Sequence, residues 1–537
     1  MSARVARRQA APATARSEFV PAPMAGLNTV SAPAMGDAVV LWNMTAAEYG
    51  QRVRLGWREW VTGLTGGDGN QVRTVLPYRG SAEAGTGDRL FATTTTGIWD
   101  CTASSATPTQ VLTFASDAGS AGRGVAHVMV TAAGHFLLYC DEQNGYHVYT
   151  ESTDTWAKIA QGAGGTQVSG VDPATFCSVL VWKSRVWFVE KNSTRAWYLA
   201  AGTVYGAATQ LNLDRAGQFR GGGALRGLWN WTGDGGFGLD DHLVAISGGG
   251  DVAIYAGTDP AEATTFQLKG SWQTGGIPAG RNIATASGGD LLLVTKAGVR
   301  PLSSLVSGGD GVGEYATARI RNLFNSLMLS KSDLNGWSLH VHPEDASLIV
   351  TVPEAEGVAT QQLVMAMAAK SWSRYRDLPI FSAASWGGKL YFGTSDGRVC
   401  INDGYVDGVT LADSSAYTPV QWTLLTAFVG DGRQKQVGVI RPHLITQTSG
   451  TPAFSCEARY DFNLVELDSV SGATSGSGDW DTGVWDTAVW GGDYSEAHEA
   501  RGATGLGTSV AIVARGTATS RTVLRGFDVT YEEGGFL

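Results

Sequence analysis

The chain has 537 residues, a formal net charge of −10 and only 16% charged residues. Because tight binding to phosphates needs clustered Lys and Arg, this acidic balance argues against a general affinity for nucleic acids. Glycine (72 residues) and the aromatic residues (18 Trp, 16 Tyr and 17 Phe) are abundant, which is typical of chains rich in turns and strands and predicts an all-β protein.

Residues 1–20 are predicted to form a flexible basic arm. The first 16 residues contain four arginines and no acid. Such an arm docks on an acidic neighbouring subunit or stays disordered, whereas its prolines and missing apolar face argue against an organelle transit peptide. Residues 21–84 follow as an N-terminal platform segment that begins with Pro-rich turns.

Residues 85–415 repeat one theme, in which an alternating strand, a polar turn and a second strand follow each other. The starts of successive hairpins are 42 to 57 positions apart, and aromatic residues recur in the strands. Hairpins at such a period are typical of propeller blades, so we predict a β-propeller of six or seven irregular blades. A row of β-sandwich domains is the alternative. The hairpins lie at 90–100, 136–149, 186–199, 243–255, 291–302, 348–365 and 390–401.

Two segments depart from this theme. Residues 316–329 carry apolar side chains at helical spacing and form the best helix candidate. From residue 416 the hairpin period stops, and the remaining strands predict a β-sandwich over 416–537. These strands are expected at 420–428, 436–445, 453–462, 509–514 and 522–531.

A Trp-rich loop at 472–494 interrupts the C-terminal domain. Trp480, Trp485 and Trp490 recur every five residues and Tyr494 follows, a period that fits neither a helix nor a strand. Large aromatic side chains bury roughly 150–250 Å² each when packed. We therefore predict that the loop packs on a neighbouring domain or subunit, and a contact with a host receptor, glycan or membrane interface is the alternative.

No catalytic constellation is evident in the sequence. Residues 393–397 match the G-x-S-x-G pattern of hydrolases around Ser395, but a strand follows where that motif needs a helix, so we interpret it as a hairpin turn. His340 and His342 share one face of a predicted strand, and two ligands do not complete a metal site. We expect a protein that is not an enzyme and has no cofactor or metal.

Five cysteines, at 101, 140, 177, 400 and 456, are widely spaced and never form a C-x-x-C pair. This pattern favours reduced, buried thiols over disulfides or a zinc ribbon. The sequence contains no run of 18 apolar residues and no export signal at its start, so we expect folding in a cytoplasm.

The N-terminal platform segment resembles the opening of the tail nozzle family of short-tailed bacteriophages, also described as tail tubular protein B-like. The resemblance is carried by PMAGLNT at 23–29, GDAVVLWN at 36–43, VRLGWREW at 53–60 and TGL at 62–64. The helix candidate, the blade period and the Trp-Asp-Thr run are similar to features of the same family. An Arg-rich arm replaces the acidic segment that often precedes the first proline turn.

The resemblance implies a structural protein of the phage tail. It implies a homohexameric ring beneath the tail adaptor, with a propeller in each subunit and a platform formed by the N- and C-terminal segments. Phage DNA would pass through the gated lumen without sequence-specific binding, and fibre or needle proteins and the host surface are further candidate partners. The alternatives are a carbohydrate-binding or host-receptor-binding propeller and a kelch-like interaction module.

Overall fold

The computed structural model describes residues 15–30, 33–67, 69–83, 85–214, 217–234, 239–262, 264–309, 314–447, 453–464, 495–497 and 500–536. Strands take up 54% of the chain and helices 6%, so the predicted all-β class is confirmed. The chain divides into two compact units: Met1–Arg54 with Pro419–Leu537, which we call the terminal unit, and Leu55–Thr418. No helix in the described part is long and apolar enough to cross a membrane.

Five short strands open the terminal unit, and a sixth begins the second unit. The first five are β1 (Ala15–Pro21), β2 (Gly26–Leu27), β3 (Asp37–Trp42), β4 (Met44–Ala47) and β5 (Gly50–Val53). The sixth is β6 (Trp57–Val61).

The second unit then forms a series of small antiparallel sheets, which we number as blades in chain order. Blade 1 contains β7 (Thr74–Tyr78), β8 (Arg89–Thr93), β9 (Gly97–Asp100) and β10 (Thr109–Thr113). Blade 2 contains β11 (Gly124–Thr131), β12 (Gly134–Asp141), β13 (Gly145–Thr150) and β14 (Thr155–Lys158). A short strand, β15 (Val168–Ser169), leads to blade 3 with β16 (Phe176–Trp182), β17 (Arg185–Glu190) and β18 (Arg195–Tyr198).

Blade 3 ends with β20 (Thr209–Asn212), after β19 (Gly206–Ala207), which pairs in parallel with β15. Blade 4 contains β21 (Leu225–Asp234), β22 (Leu239–Ser247), β23 (Asp251–Ala256) and β24 (Gln267–Gln273). Blade 5 contains β25 (Ala284–Ser287), β26 (Asp290–Thr295) and β27 (Gly298–Pro301). Blade 6 contains β28 (Ser338–His342), β29 (Ser347–Ala355), β30 (Ala359–Ala366) and β31 (Ser371–Tyr375).

Blade 7 joins strands that lie far apart in the sequence. Its first three strands are β32 (Ser382–Trp386), β33 (Lys389–Gly393) and β34 (Val399–Asn402). The fourth is β6, which pairs antiparallel with β34 from the opposite end of the unit. A short strand, β35 (Val406–Val409), then pairs in parallel with β6.

The first strands of the seven blades form a closed ring. β7 contacts β11, and the contacts continue through β16, β21, β25, β28 and β32 until β32 contacts β7 again. Seven radially arranged antiparallel sheets around a common axis define a seven-bladed β-propeller. The predicted propeller is therefore confirmed, and the blade number is seven.

Aromatic side chains fill the space between neighbouring blades. Tyr146 of blade 2 packs edge to face on Phe188 of blade 3, with ring centroids 4.7 Å apart. Phe188 in turn stacks on Phe176 at 4.2 Å. Each blade is too thin to bury its own faces, so these aromatic contacts provide the core that links one blade to the next.

Helices replace the fourth strand of blade 5. After β27 the chain forms α1 (Leu302–Gly308), a turn of 3₁₀-helix (Ala318–Ile320) and α2 (Arg321–Lys331). Phe324, Leu327 and Met328 are buried on one face of α2, which confirms the helix predicted from their spacing. Short 3₁₀ turns also lie at Glu151–Thr153 and Pro173–Thr175.

The terminal unit is completed by seven C-terminal strands. They are β36 (Thr418–Thr426), β37 (Val429–Thr446), β38 (Phe454–Tyr460), β39 (Ser495–Ala497), β40 (Arg501–Gly502), β41 (Gly507–Ala518) and β42 (Thr522–Phe536). One layer pairs β3, β36, β41 and β38, and the other pairs β1, β42 and β37. β37 and β41 also pair near their first residues.

These two layers share one apolar core, so the terminal unit is a β-sandwich-like domain. Leu41, Trp422 and Ile512 enter the core from the first layer, and Ile440 and Phe527 enter from the second. Strands from both chain ends contribute to it, because β1 and β5 pair with β42 and β3 pairs with β36.

Two sequence-based boundaries differ from the observed ones. Residues 15–20, which we assigned to the basic arm, form most of β1, because they pair with β42 from Arg16 opposite Tyr531 to Val20 opposite Phe527. The N-terminal platform segment was predicted to extend to residue 84, but β6 and β7 belong to blades 7 and 1. The division between the two units lies at 54/55 and 418/419.

Candidate functional site

A channel runs along the ring of first strands. Residues from all seven blades line it and enclose an empty volume of about 1190 Å³ that includes open solvent. Most of the lining is small or apolar. Each blade contributes at least one lining residue: Val75, Val125, Val181, Asn230, Thr285, His340 and Ala384.

Two histidines face this channel. Burial lowers the pKa of both His127 and His340 to about 4, so both are neutral at pH 7. His342 lies two positions after His340 on β28 and is buried. Within the described ranges, no group of three or more His, Cys, Asp or Glu side chains lies close enough together to hold a metal ion.

One end of the channel opens into a polar cavity that we call the channel mouth. Four residues line both the channel and the mouth: Thr74, Gly124, Asn282 and His340. The mouth encloses an empty volume of about 730 Å³, again including open solvent. Its lining includes four arginines, which are Arg73, Arg123, Arg226 and Arg281.

The arginines share the mouth because each lies at the start of an innermost strand. Arg73 and Arg123 directly precede β7 and β11, Arg226 is the second residue of β21, and Arg281 lies three residues before β25. The first strands of a propeller enter the ring from the same end, so their preceding residues gather around one opening. The four positions are 50, 103 and 55 residues apart. The spacings of 50 and 55 correspond to one blade, and the spacing of 103 corresponds to two blades.

Arg73 and Arg123 are held by neighbouring groups. Arg73 Nη1 donates to the backbone oxygens of Gly119 at 2.6 Å and Ala121 at 2.8 Å. Arg123 Nη1 donates to Glu356 Oε1 at 2.8 Å, and Glu356 lies in the loop between β29 and β30 of blade 6. This ion pair connects blade 2 with blade 6 across the mouth.

The Glu356 carboxylate is stabilised in its charged form. Burial raises its pKa, but hydrogen bonds from Arg123 and Asn335 outweigh burial, and the net effect lowers the pKa. Asn335 Nδ2 donates to Glu356 Oε1 at 3.1 Å.

Arg281, which precedes the first strand of blade 5, contacts three other blades at the mouth. Its Nη2 donates to Glu142 Oε2 of blade 2 at 2.5 Å, and its Nη1 donates to the backbone oxygen of Arg226 at 3.2 Å. Nη1 also lies 3.7 Å from Cys177 Sγ of blade 3. Burial lowers the pKa of Arg281, but the nearby Cys177 and Glu142 raise it more, so the guanidinium stays charged.

Arg226 differs from the other three arginines. Its guanidinium is half-buried, and no described residue accepts a hydrogen bond from it. Burial lowers its pKa, and the positive charge of Arg281 lowers it further. Four guanidinium groups and the two carboxylates of Glu142 and Glu356 leave a net charge of +2 at the mouth of an otherwise acidic chain.

The structure also places the residues that the sequence singled out. Ser395 lies in the turn between β33 and β34, which confirms a hairpin in place of a nucleophile elbow. Thr394 Oγ1 donates to Asp396 Oδ1 within this turn at 2.5 Å. All five cysteines are free and buried, as predicted. Trp480, Trp485, Trp490 and Tyr494 lie outside the described residues.

Sequence reasoning missed the four arginines of the channel mouth. None of them belongs to a recognised motif, and each adjoins an innermost strand that the hairpin pattern did not include. The available signal was their spacing, since arginines that recur at multiples of the blade period indicate a shared opening.

Comparisons with known proteins leave the family of the chain open. No family model matches the chain, and no curated protein matches it. Among solved structures, the computationally designed Ika8 protein is similar over 64% of this chain and 99% of its own, at 10% identity and a TM-score of 0.34. The Cps50 (Swd1) β-propeller domain of Myceliophteria thermophila is similar over 63% and 97%, at 13% identity and a TM-score of 0.40.

Proposed function

We propose that this chain is a structural subunit of a bacteriophage tail nozzle, in which six copies form a ring around the DNA exit channel. The observation that carries the proposal is the composite terminal unit. Strands from residues 15–54 pair with strands from residues 419–536, and the propeller residues lie between these two segments in the sequence. This is the arrangement that the resemblance to tail nozzle proteins implies.

The distribution of exposed apolar side chains supports self-association through the terminal unit. Of the sixteen large apolar residues that are exposed in the described part, nine belong to the terminal unit, although it holds only about a third of the chain. Met35 and Val429 also line a groove of this unit with an empty volume of about 740 Å³, together with Val437 and Ile512. We propose that a second copy of this chain covers this surface.

The negative net charge of the chain is consistent with a channel through which DNA passes. Each copy carries a formal charge of −10, and a wall of the same sign as DNA keeps phosphates from adhering during ejection. On this proposal the subunit acts in the virion as a scaffold without catalysis or a cofactor. Its partners are other copies, the tail adaptor and fibre or needle proteins, and it folds in the host cytoplasm.

Native mass spectrometry of the purified 56.4 kDa chain tests the assembly. We expect a closed hexamer at virion-like concentration. Charges placed at Met35 and Leu506, which are 54% and 55% exposed in the terminal unit, should reduce the hexamer fraction. Val358→Glu provides the matched control, because Val358 is 73% exposed on the propeller.

A monomer under all conditions would reject the nozzle proposal and favour the kelch-like or receptor-binding alternatives. Equal loss of hexamer in Met35→Glu, Leu506→Glu and Val358→Glu would reject the terminal unit as the assembly surface. Electron microscopy of the ring provides a further check, since a lumen lined by basic residues contradicts the proposed DNA passage.

A further inference from the structure

We propose that the channel mouth binds a small polar molecule that carries an oxyanion, either a carboxylate or a phosphate, and that Arg226 contacts the anion. This site is independent of the nozzle proposal, because it lies within the propeller and needs no second copy. Two groups of the mouth have no hydrogen-bond partner among the described residues: the Arg226 guanidinium and the Ser338 hydroxyl.

The Arg226 guanidinium shares its counter-ion, Glu142, with Arg281. Removing a charge from water costs free energy unless a partner of opposite sign compensates it. Arg281 repels the Arg226 guanidinium, and Glu142, which attracts it, is already hydrogen-bonded to Arg281. A bound oxyanion would supply the missing charge.

The guanidinium geometry favours this class of ligand. Arginine presents parallel N–H groups that match the two oxygens of a carboxylate or phosphate. Arg281 is fixed by its bonds to Glu142 and the Arg226 backbone, so Arg226, Arg281 and Glu142 together hold a net charge of +1 at a defined position. This net positive charge attracts an anion.

Ser338 supplies the second, independent observation. Its side chain is only 7% exposed and lines the mouth, yet no described residue forms a hydrogen bond with its Oγ. His340, two positions later on the same face of β28, also lines the mouth, and its Nε2 has no hydrogen-bond partner among the described residues. Buried polar groups normally have partners, so this edge of the mouth has unused capacity for a polar ligand.

The lining accommodates a ligand with both an anionic and a neutral polar part. Arg226 and Arg281 provide charge on one side, and Ser338, His340 and Asn282 provide hydrogen-bonding groups elsewhere around the opening. The neutral state of His340 at pH 7 lets it accept or donate a hydrogen bond. A sugar acid or a sugar phosphate has this combination of groups.

Isothermal titration calorimetry of the full chain tests the site with four probes: D-glucuronate, glucose 6-phosphate, inorganic phosphate and glucose. We expect saturable binding of the anionic probes and none of glucose. Tighter binding of the two sugar derivatives than of phosphate would show that the polar side of the mouth contributes. Equal binding of all three anions would reduce the proposal to an oxyanion site.

Substitutions then separate the site from general electrostatics. Arg226→Gln should weaken anion binding about tenfold or more, because a charge-assisted, two-pronged contact is lost. Arg226→Lys keeps the charge and should recover only part of the affinity. Ser338→Ala should weaken the sugar derivatives more than phosphate. Arg79→Gln is the control, because Arg79 is exposed and lies outside the mouth.

Thermal unfolding of each variant without ligand shows whether it folds. Absence of saturable binding by every anion, or identical affinities for the wild type and Arg226→Gln, overturns the proposal. If Arg226→Gln does not fold, the comparison of Arg226→Lys and Ser338→Ala with the wild type decides the matter in the same way.

Discussion

Arg398 donates a hydrogen bond at 3.1 Å to the carboxylate of Glu59, 339 positions earlier in the chain. Glu59 lies on β6, and Arg398 directly precedes β34, so the bond joins the two strands that close the propeller. The Arg398 guanidinium also lies 5.4 Å from the ring centre of Trp57 and pairs with Asp396. The closure of the ring thus rests on backbone pairing and on a charged contact.

Replacing Arg398 by Ala should destabilise the propeller. Glu59 is largely buried, and removing its partner leaves a poorly solvated carboxylate, at a cost of about 1–3 kcal/mol. Urea unfolding followed by Trp fluorescence measures the change. Arg79→Ala is the control: it also removes an Arg–Asp pair, but Arg79 is 68% exposed, so the loss should be about 0–1 kcal/mol. Equal losses would contradict the closure role of Arg398.

Ser395→Ala should leave the protein unchanged. Ser395 is a turn residue between two strands, and substitutions of this kind change stability within about 0.5 kcal/mol. Thermal unfolding and labelling with a fluorophosphonate probe check this expectation. Selective labelling of Ser395 over other serines would show that the hairpin interpretation is wrong.

Stability should fall between pH 6.5 and 4 because of His147. This residue is buried in blade 2 and its pKa is lowered to about 4, first by burial and then by the charge of Lys158. In the unfolded chain the side chain takes up a proton below about pH 6.5. The unfolded state therefore binds more protons in this interval, and stability decreases as pH falls, with no further change from this group below about pH 4.

The pKa shift of His147 limits the loss in the free energy of unfolding from this residue to about 3 kcal/mol. Urea titrations at several pH values measure the slope of stability against pH. His147→Gln should reduce that slope, because glutamine does not titrate and can still contact the Gly145 backbone. An unchanged slope in His147→Gln would assign the acid sensitivity to other groups.

On the nozzle proposal, the double substitution of Trp485 and Trp490 by Ala tests the role of the Trp-rich loop. If these side chains pack between subunits, particle assembly should weaken, since large aromatic residues at an interface centre typically contribute about 2 kcal/mol or more each. If they contact the host, particles should assemble normally while plaque formation falls. Tyr417→Ala is the control, because Tyr417 is an aromatic residue that is 45% exposed and lies outside the terminal unit. Normal assembly and infectivity would reject both interpretations.

Much of the fold was predictable because hairpins are local. All seven predicted hairpins begin in the second strand of a blade, as in residues 136–149, which form β12 and β13. These strands contain continuous buried apolar runs rich in aromatic residues, and each strand pairs with one that follows a few positions later. The helix at α2 was predictable for the same reason, since its apolar spacing is local.

The remaining features depend on distant pairing. The sequence predicts that β6 belongs to the N-terminal segment. Its pairing with β34 places it in blade 7. The first strands were missed because they face the channel, where polar residues such as His127 and Asn230 interrupt the apolar runs. The arginine cluster of the channel mouth could not be recognised either, because it forms only when four blades meet at one opening.

The pairing of β6 with β34 also imposes an order on biosynthesis. β6 leaves the ribosome long before its partner, and at roughly 5–20 residues per second the intervening chain takes roughly 20–70 s to synthesise. During that time both the early strand and each newly completed blade present unpaired edges, which are sites for aggregation. The cell that synthesises the chain must therefore protect an incomplete ring through most of translation, and this interval becomes longer whenever elongation slows.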